Sequence, residues 1–176
     1  MQNKFSTRML AEIGVAVALA VVLNFLKLWR MPQGGSVSLE MLPIFVIAFR
    51  WGAGAGAFSG LIYGLLQLMF GAYIIHPVQL IMDYPLPYFV LGIAGFFKIK
   101  KEKVIQPFKL LAAVLIASFF RLIIHILSGV IFFASYAPEG QNVWIYSTIY
   151  NASFLIPTTI VVYISLLIIM KALKNK

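Results

Sequence analysis

Cysteine is absent from all 176 residues. That excludes a disulfide framework, a thiolate metal site and a cysteine nucleophile. Charge is scarce: Asp, Glu, Lys and Arg make up 11% of the chain, against roughly 25% in a soluble domain. So few ionisable groups cannot cover a water-facing surface. A soluble enzyme, a nucleic-acid-binding domain and a disordered tail are therefore excluded. Acidic residues are rarest, five against fourteen Lys and Arg. A nucleic-acid binder would spread that positive charge over a solvated face, but here it sits at the ends of apolar runs. Catalytic signatures are missing too. There is no His-Glu-x-x-His, no Gly-x-Ser-x-Gly, no paired-carboxylate motif and no phosphate loop. His76 and His125 are not spaced as a metal pair, so neither metal nor cofactor is implied. With no ATP-binding motif, any pumping energy must come from a partner or an ion gradient.

What remains is apolar. Hydrophobic residues make up 62%, and the mean hydropathy is +0.96. At about 20 residues per membrane helix, the chain accommodates six spans, at 9–29, 38–50, 53–75, 78–97, 108–133 and 143–170. The expected fold is an all-α integral membrane protein with one transmembrane domain over 1–176. Span one resembles a signal peptide at its start, but its apolar run continues too far for one. Span two is short and contains Pro43, so it is tilted, broken or partly re-entrant. Span three opens with Trp51-Gly-Ala-Gly-Ala-Gly-Ala, whose small residues let helices approach closely.

Loop charges orient the spans. One side carries Lys4, Arg8, Arg50, Lys98, Lys100, Lys101, Lys103, Lys109, Lys171, Lys174 and Lys176, and the other only Lys27 and Arg30. This bias places both termini in the cytoplasm, and an odd number of spans would spoil the separation. The run 98–103 reads as an anchor at anionic lipid headgroups. The outer loop from Trp29 to Ser36, with Pro and paired Gly, is expected to be mobile.

Polar side chains within spans are costly and need a reason. Asp83, Arg121, His125 and Asn151 stand out. Arg121 and His125, four apart, share a helix face that Gly129 and Phe133 continue outward. Tyr146 and Asn151 fall in the outer part of span six, and Tyr73 and His76 precede span four. Together they predict one outward-facing aromatic pocket holding a carboxylate. That chemistry suits a cationic aromatic solute, through charge pairing and cation–π contact. Arg121 complicates this, because it neutralises Asp83 or attracts an anion.

Structural roles compete at each position. Asp83 and Arg121 can form a buried pair, and His125 and Asn151 can be interhelical hydrogen bonders. Tyr73, Tyr146 and Trp29 can be interfacial aromatics. Glu12 is expected to snorkel or pair with Arg8, and Glu40 to cap or brace span two.

Four segments carry a resemblance: Pro-Gln-Gly-Gly-Ser-Val-Ser-Leu-Glu-Met-Leu-Pro at 32–43, His-Pro-Val-Gln at 76–79 with Asp83-Tyr84-Pro85, Ser-Gly-Val-Ile-Phe-Phe-Ala-Ser-Tyr-Ala-Pro-Glu-Gly at 128–140, and Tyr-Asn-Ala-Ser-Phe at 150–154. In order and spacing the chain resembles the thiamine-specific substrate-binding subunits, or S-components, of energy-coupling factor (ECF) transporters. The resemblance runs through nearly the whole chain. It implies six helices, cytoplasmic termini, and an outer pocket built from the last three helices and the first outer loop. It implies high-affinity thiamine binding without ATP hydrolysis. It also implies assembly in the lipid membrane with a transmembrane coupling protein and two cytoplasmic ATPases, the binding subunit tipping over to release its vitamin.

Carried onto this sequence, the resemblance assigns Asp83 to the acidic ligand position, followed by Tyr84. Arg121 stands where some members have Lys. His125 would lie against the thiazolium, Gly129 would leave room for a ring, and Tyr146 and Asn151 would hydrogen-bond. Tyr73 matches a loop aromatic. Phe133 stands where a stacking Trp occurs in some members, and Ser36 falls near a loop Trp of others. Small residues spaced by four on helix one imply a partner-docking surface at Gly14 and Ala18, with Ala16 and Ala20 as a second register. The alternatives are an S-component for another heteroaromatic vitamin or thiamine precursor, a stand-alone carrier, or a small intramembrane enzyme.

Overall fold

A computed structural model describes residues 6–97 and 106–174. The proposed headgroup anchor at 98–103, with Lys4 and Lys176, lies outside the described residues.

Helix α1 spans Thr7–Phe25 and is capped by Ser6, whose Oγ accepts from Met9 N at 3.2 Å. Such a cap satisfies one of the amides that a helix start leaves unpaired. Strands β1 (Trp29–Arg30) and β2 (Ser36–Val37) pair antiparallel. Helix α2 covers Met41–Trp51 and α3 covers Ala53–Gln67. Gly52 joins them at φ +100°, which suits glycine. Helices α4 (Pro77–Asp83) and α5 (Pro85–Phe89) then lead into a 3-10 segment, Val90–Phe97. Helices α6 (Pro107–Phe132) and α7 (Val143–Lys174) complete the bundle.

Among the described residues six membrane elements result, as expected, with α4, α5 and the 3-10 segment forming one. Among the described residues four stretches are long and apolar enough to cross a membrane: Thr7–Phe25, Pro77–Phe97, Pro107–Phe132 and Val143–Ala172. Span two is short but unbroken. Pro43 falls in the first turn of α2, where its missing N–H has no helical acceptor to lose. Span three ends at Gln67 rather than 75. Span four is broken at Tyr84, because Pro85 and Pro87 cannot donate to the preceding turn.

The small residues of α3 set the packing. A Cβ on Gly60 would overlap the Tyr88 carbonyl, and one on Gly64 would lie 2.5 Å from both Pro85 Cα and the Tyr84 oxygen. Gly92 and Gly95 meet the backbone of Ala53 and Ala57 in return. Backbone therefore lies on backbone along the whole seam, which only small residues permit.

The main core gathers Ile44, Phe45, Ala48, Leu91, Val114 and Val162. Outward faces carry Leu19, Phe96, Phe108, Phe119, Ile131 and Ile168, all exposed. Apolar surface on this scale needs lipid. At one end of the bundle, half-buried Glu12 accepts from Arg8 Nε (3.2 Å), Arg50 Nη2 (2.9 Å) and Trp51 Nε1 (2.7 Å). The expected pairing with Arg8 is present, and the same carboxylate ties α1 to the end of α2. The other end holds a cavity.

Candidate functional site

The break after α4 creates the site. His76 caps α4, its Nδ1 accepting from Val78 N at 3.1 Å, and Pro77 takes the first helical position. His76 stacks on Phe132 and stays outside the cavity. One turn on, Gln79 donates to Asp83 Oδ2 (2.6 Å) and to the Tyr73 carbonyl (3.1 Å), while accepting from Ile75 N (3.1 Å). Tyr84 Oη accepts from Tyr73 N at 2.8 Å. Asp83 and the 73–75 loop are thus held as a unit before the chain turns at Pro85.

A cavity of about 350 Å³ lies between this break, α6, α7 and the 27–36 segment. That volume is near the lower end of the roughly 300–1,000 Å³ typical of small-molecule sites. All nine sequence-derived candidates line it: Tyr73, Asp83, Tyr84, Arg121, His125, Gly129, Phe133, Tyr146 and Asn151. Ser36 lines it too. The docking candidates lie elsewhere, on the outside of α1. Gly14 and Ala18 are exposed, with nothing within 4 Å of a Cβ on Gly14. Ala16 and Ala20 are buried in the core, so the second register is used up in internal packing.

The floor is polar. Arg121 does not pair with Asp83. Its Nη2 lies 3.6 Å from Glu40 Oε1 and donates to Tyr88 Oη at 2.9 Å. Its guanidinium carbon sits 4.1 Å from the Tyr88 ring centroid. Glu40 does not cap α2 with its side chain. Its carboxylate accepts from Tyr63 Oη (2.9 Å) and from Tyr88 Oη, which braces α2 against α3 and α5.

Along one wall Arg121 Nε donates to His125 Nε2 at 3.4 Å, and His125 Nδ1 faces Asp83 Oδ1 at 3.8 Å. An Nε2 that accepts carries no proton, so this geometry selects neutral imidazole with its proton on Nδ1, toward Asp83. Glu40 and Arg121 cancel each other. Among the described residues, Asp83 is left as the cavity carboxylate with no Arg or Lys partner, facing the imidazole of His125.

The upper wall is aromatic. Phe133 stacks on Tyr136 at 5.9 Å and lies 6.4 Å from Tyr73. Tyr136 is exposed at the mouth, where Tyr73 beside it raises its phenol pKa. Opposite, the His125, Tyr150 and Phe154 rings meet edge to face. Asn151 Nδ2 donates to the Ser147 carbonyl at 2.9 Å. A Cβ on Gly129 would collide with Ser147 Oγ. This glycine therefore lets α6 pack against α7, and it also lines the cavity.

The 29–37 loop, expected to be mobile, is a hairpin fastened to α7. Tyr150 Oη accepts from Gln33 N (2.9 Å) and donates to the Gly34 carbonyl (2.8 Å). Tyr146 Oη donates to Gln33 Oε1 at 3.1 Å. Gly34 and Gly35 take φ of +96° and +84° at the turn, and a Cβ on Gly35 would lie 2.7 Å from the Phe154 ring. The hairpin roofs the cavity.

The profile of the thiamine transporter protein family matches residues 10–176. The chain belongs to this family. It is 42% identical to the thiamine transporter ThiT of Bacillus subtilis (strain 168) over 170 residues, 91% of this chain and 88% of that protein. The ThiT of Lacticaseibacillus paracasei is 29% identical over 171 residues, 91% and 85% of the two chains. A solved structure of ThiT from Listeria monocytogenes matches with a TM-score of 0.80 at 30% identity, over 93% of each chain. This member of the thiamine transporter family is a multi-pass bacterial membrane protein, and its relatives are named as transporters.

Sequence reasoning missed Gln67, Gln79, Tyr88, Tyr150 and Phe154 as cavity residues. Gln67 and Gln79 carried a signal, since each is an uncharged polar side chain in an apolar stretch. Tyr150 and Phe154 bound the 150–154 segment and continue the i, i+4 row of Tyr146, whereas Tyr88 had no signal, because aromatics are common in membrane helices.

Proposed function

We propose that this chain captures thiamine in the roofed cavity and serves as the substrate-binding subunit of an ECF-type importer. The observation that carries the reading is Asp83, a carboxylate without an Arg or Lys partner in an aromatic cavity whose floor is the mutually neutralising Glu40–Arg121 pair. A buried anion beside aromatic faces favours a flat organic cation over a neutral or anionic one. Thiamine, named for the relatives' cargo, is such a cation. Tyr73, Tyr84 and Phe133 supply ring faces, while His125 and Arg121 line the wall beneath. Asn151 turns its amide nitrogen to the protein, which leaves its carbonyl to accept from the ligand. The 29–37 hairpin, held by Tyr146 and Tyr150, covers the bound molecule.

The whole 1–176 chain acts as one binding unit. Its cavity faces the cell exterior, because the loop charges put the opposite end in the cytoplasm. The sequence holds no phosphate loop, so energy comes from partners: a transmembrane coupling protein and two ATPases. The exposed Gly14 and Ala18 on α1 form the contact, where small residues spaced by four allow a helix to approach closely.

Titration of the detergent-purified chain with thiamine tests the reading. Trp29 on the hairpin and Trp144 at the head of α7 make intrinsic fluorescence a local reporter. Saturable one-to-one binding at sub-micromolar thiamine, without turnover, is expected. A folded protein that ignores thiamine sinks the proposal. Uptake by vesicles lacking any ATPase would sink its energy-coupled part.

A further inference from the structure

We propose that Glu40 sets the charge selectivity of the cavity by holding Arg121 away from Asp83. The inference rests on reading the cavity as a site for an organic cation and goes beyond it, to a residue that need not touch the ligand. Glu40 and Arg121 are both buried, at 4% and 5% exposure. Arg121 is therefore a buried charge at the cavity floor, balanced by Glu40. Its destination decides the sign of the field that a ligand meets.

The cage around Glu40 is directional. Gln67 Nε2 donates to Tyr63 Oη (2.8 Å) and to Tyr88 Oη (3.0 Å). Arg121 Nη2 adds a second donor to Tyr88 Oη at 2.9 Å. With their oxygens accepting, both tyrosines turn their hydroxyl protons to Glu40, one to each carboxylate oxygen. Four elements thus converge on the Glu40 carboxylate beside Arg121: the start of α2, then α3, α5 and α6. Charge-assisted bonds of this kind are the strong ones.

Arg121 has an alternative partner. It already touches His125, and His125 touches Asp83. With Gln in place of Glu40, the guanidinium is left as an unpaired buried cation, and the remaining carboxylate of the cavity is Asp83. The floor and wall then sum to zero instead of one negative charge. Lys27 and Arg30 also line the mouth, but both are exposed and screened by salt. Glu40 is a positioning residue in this scheme. Its effect falls on the ligand's charge rather than its shape.

The experiment compares thiamine with a neutral isostere in which carbon replaces the quaternary nitrogen. Dissociation constants are measured by calorimetry on wild type, Glu40→Gln, Arg121→Gln and the double variant. A unit charge about 8 Å away at an effective dielectric constant of 20 corresponds to about a thirty-fold change in affinity. Glu40→Gln is expected to lower the cation-over-neutral ratio by about that factor. Arg121→Gln is expected to raise it. The double variant removes both charges and is expected to return the ratio toward wild type. Equal loss of both ligands in Glu40→Gln, or a double variant no more cation-selective than that single one, overturns the inference. If Glu40→Gln does not fold, Arg121→Gln decides alone, and an unchanged or lowered ratio overturns it. A wild-type chain that binds no thiamine refutes the thiamine reading instead, so the two failures are distinguishable.

Discussion

Gly64 offers a sharp test of how packing positions the site. It lies on the face of α3 that meets the α4–α5 break, and Asp83 stands immediately before that break. In Gly64→Ala the new methyl would lie 2.5 Å from Pro85 Cα and from the Tyr84 carbonyl oxygen. Both are backbone atoms, so no side chain can swing aside. Either α3 separates from the break or the break shifts. Overpacking typically costs about 1–3 kcal/mol, and a backbone obstacle belongs in the upper part of that range. At about 2–4 °C per kcal/mol for a chain of this size, the melting temperature in detergent is expected to fall by about 4–12 °C. Gly54→Ala is the matched control in the same helix, since nothing lies within 4 Å of its Cβ. Alanine there gains up to about 1 kcal/mol of helix propensity, so stability should hold or rise slightly. The assay is thermal unfolding with and without thiamine. Gly64→Ala should also bind thiamine more weakly, because Asp83 and Tyr84 move with the break. Equal melting temperatures for the two variants would refute the reasoning, and so would a Gly64→Ala protein with unaltered stability.

Three further outcomes follow from the same geometry. Asp83→Asn should weaken thiamine binding by about 1–3 kcal/mol, the range for losing a charged hydrogen-bonding partner; unchanged affinity by calorimetry would remove Asp83 from the site. Tyr150→Phe deletes both hydrogen bonds that fasten Gln33 and Gly34, so stopped-flow fluorescence should show thiamine leaving about five- to thirty-fold faster, for about 1–2 kcal/mol of lost hydrogen bonding. An unaltered off-rate would show that the hairpin does not retain the ligand. Gly14→Leu adds bulk where α1 faces outward, and it should spare binding while cutting ATP-driven uptake in reconstituted vesicles; equal loss of both would point to a damaged fold.

Much of this protein is written locally in its chain. Membrane insertion depends on the apolar content of each stretch, so six elements and their charge bias were legible in composition. The break at Asp83-Tyr84-Pro85 was visible only as its prolines, since backbone geometry at a proline is local but the direction of the next helix is not. Asp83, Arg121, His125 and Asn151 were readable because a polar group in a membrane span is costly and must face inward, whereas Tyr84 came only with the family resemblance. Spacing along α6 and α7 groups Arg121, His125, Gly129, Tyr146 and Asn151, but only the packed bundle brings Tyr73, Asp83 and Tyr84 to them.

Partner choice was not local. Glu40 lies 81 positions before Arg121 in the numbering, and only helix depth and rotation bring it to that guanidinium rather than Asp83. From sequence Glu40 reads as a cap or a brace for span two, and neither reading names Arg121 as its partner. The contacts of the 29–37 loop are non-local for the same reason. Its glycines and proline describe a flexible backbone, yet its order comes from Tyr146 and Tyr150, 113 or more positions away. By itself the sequence determined where the chain is apolar, where helices must stop and which polar groups must be sheltered. The tertiary structure alone decided which of them neutralise one another and which stay available to a ligand. Pairing energies act over a few ångströms of space, and that proximity exists only once the helices have packed.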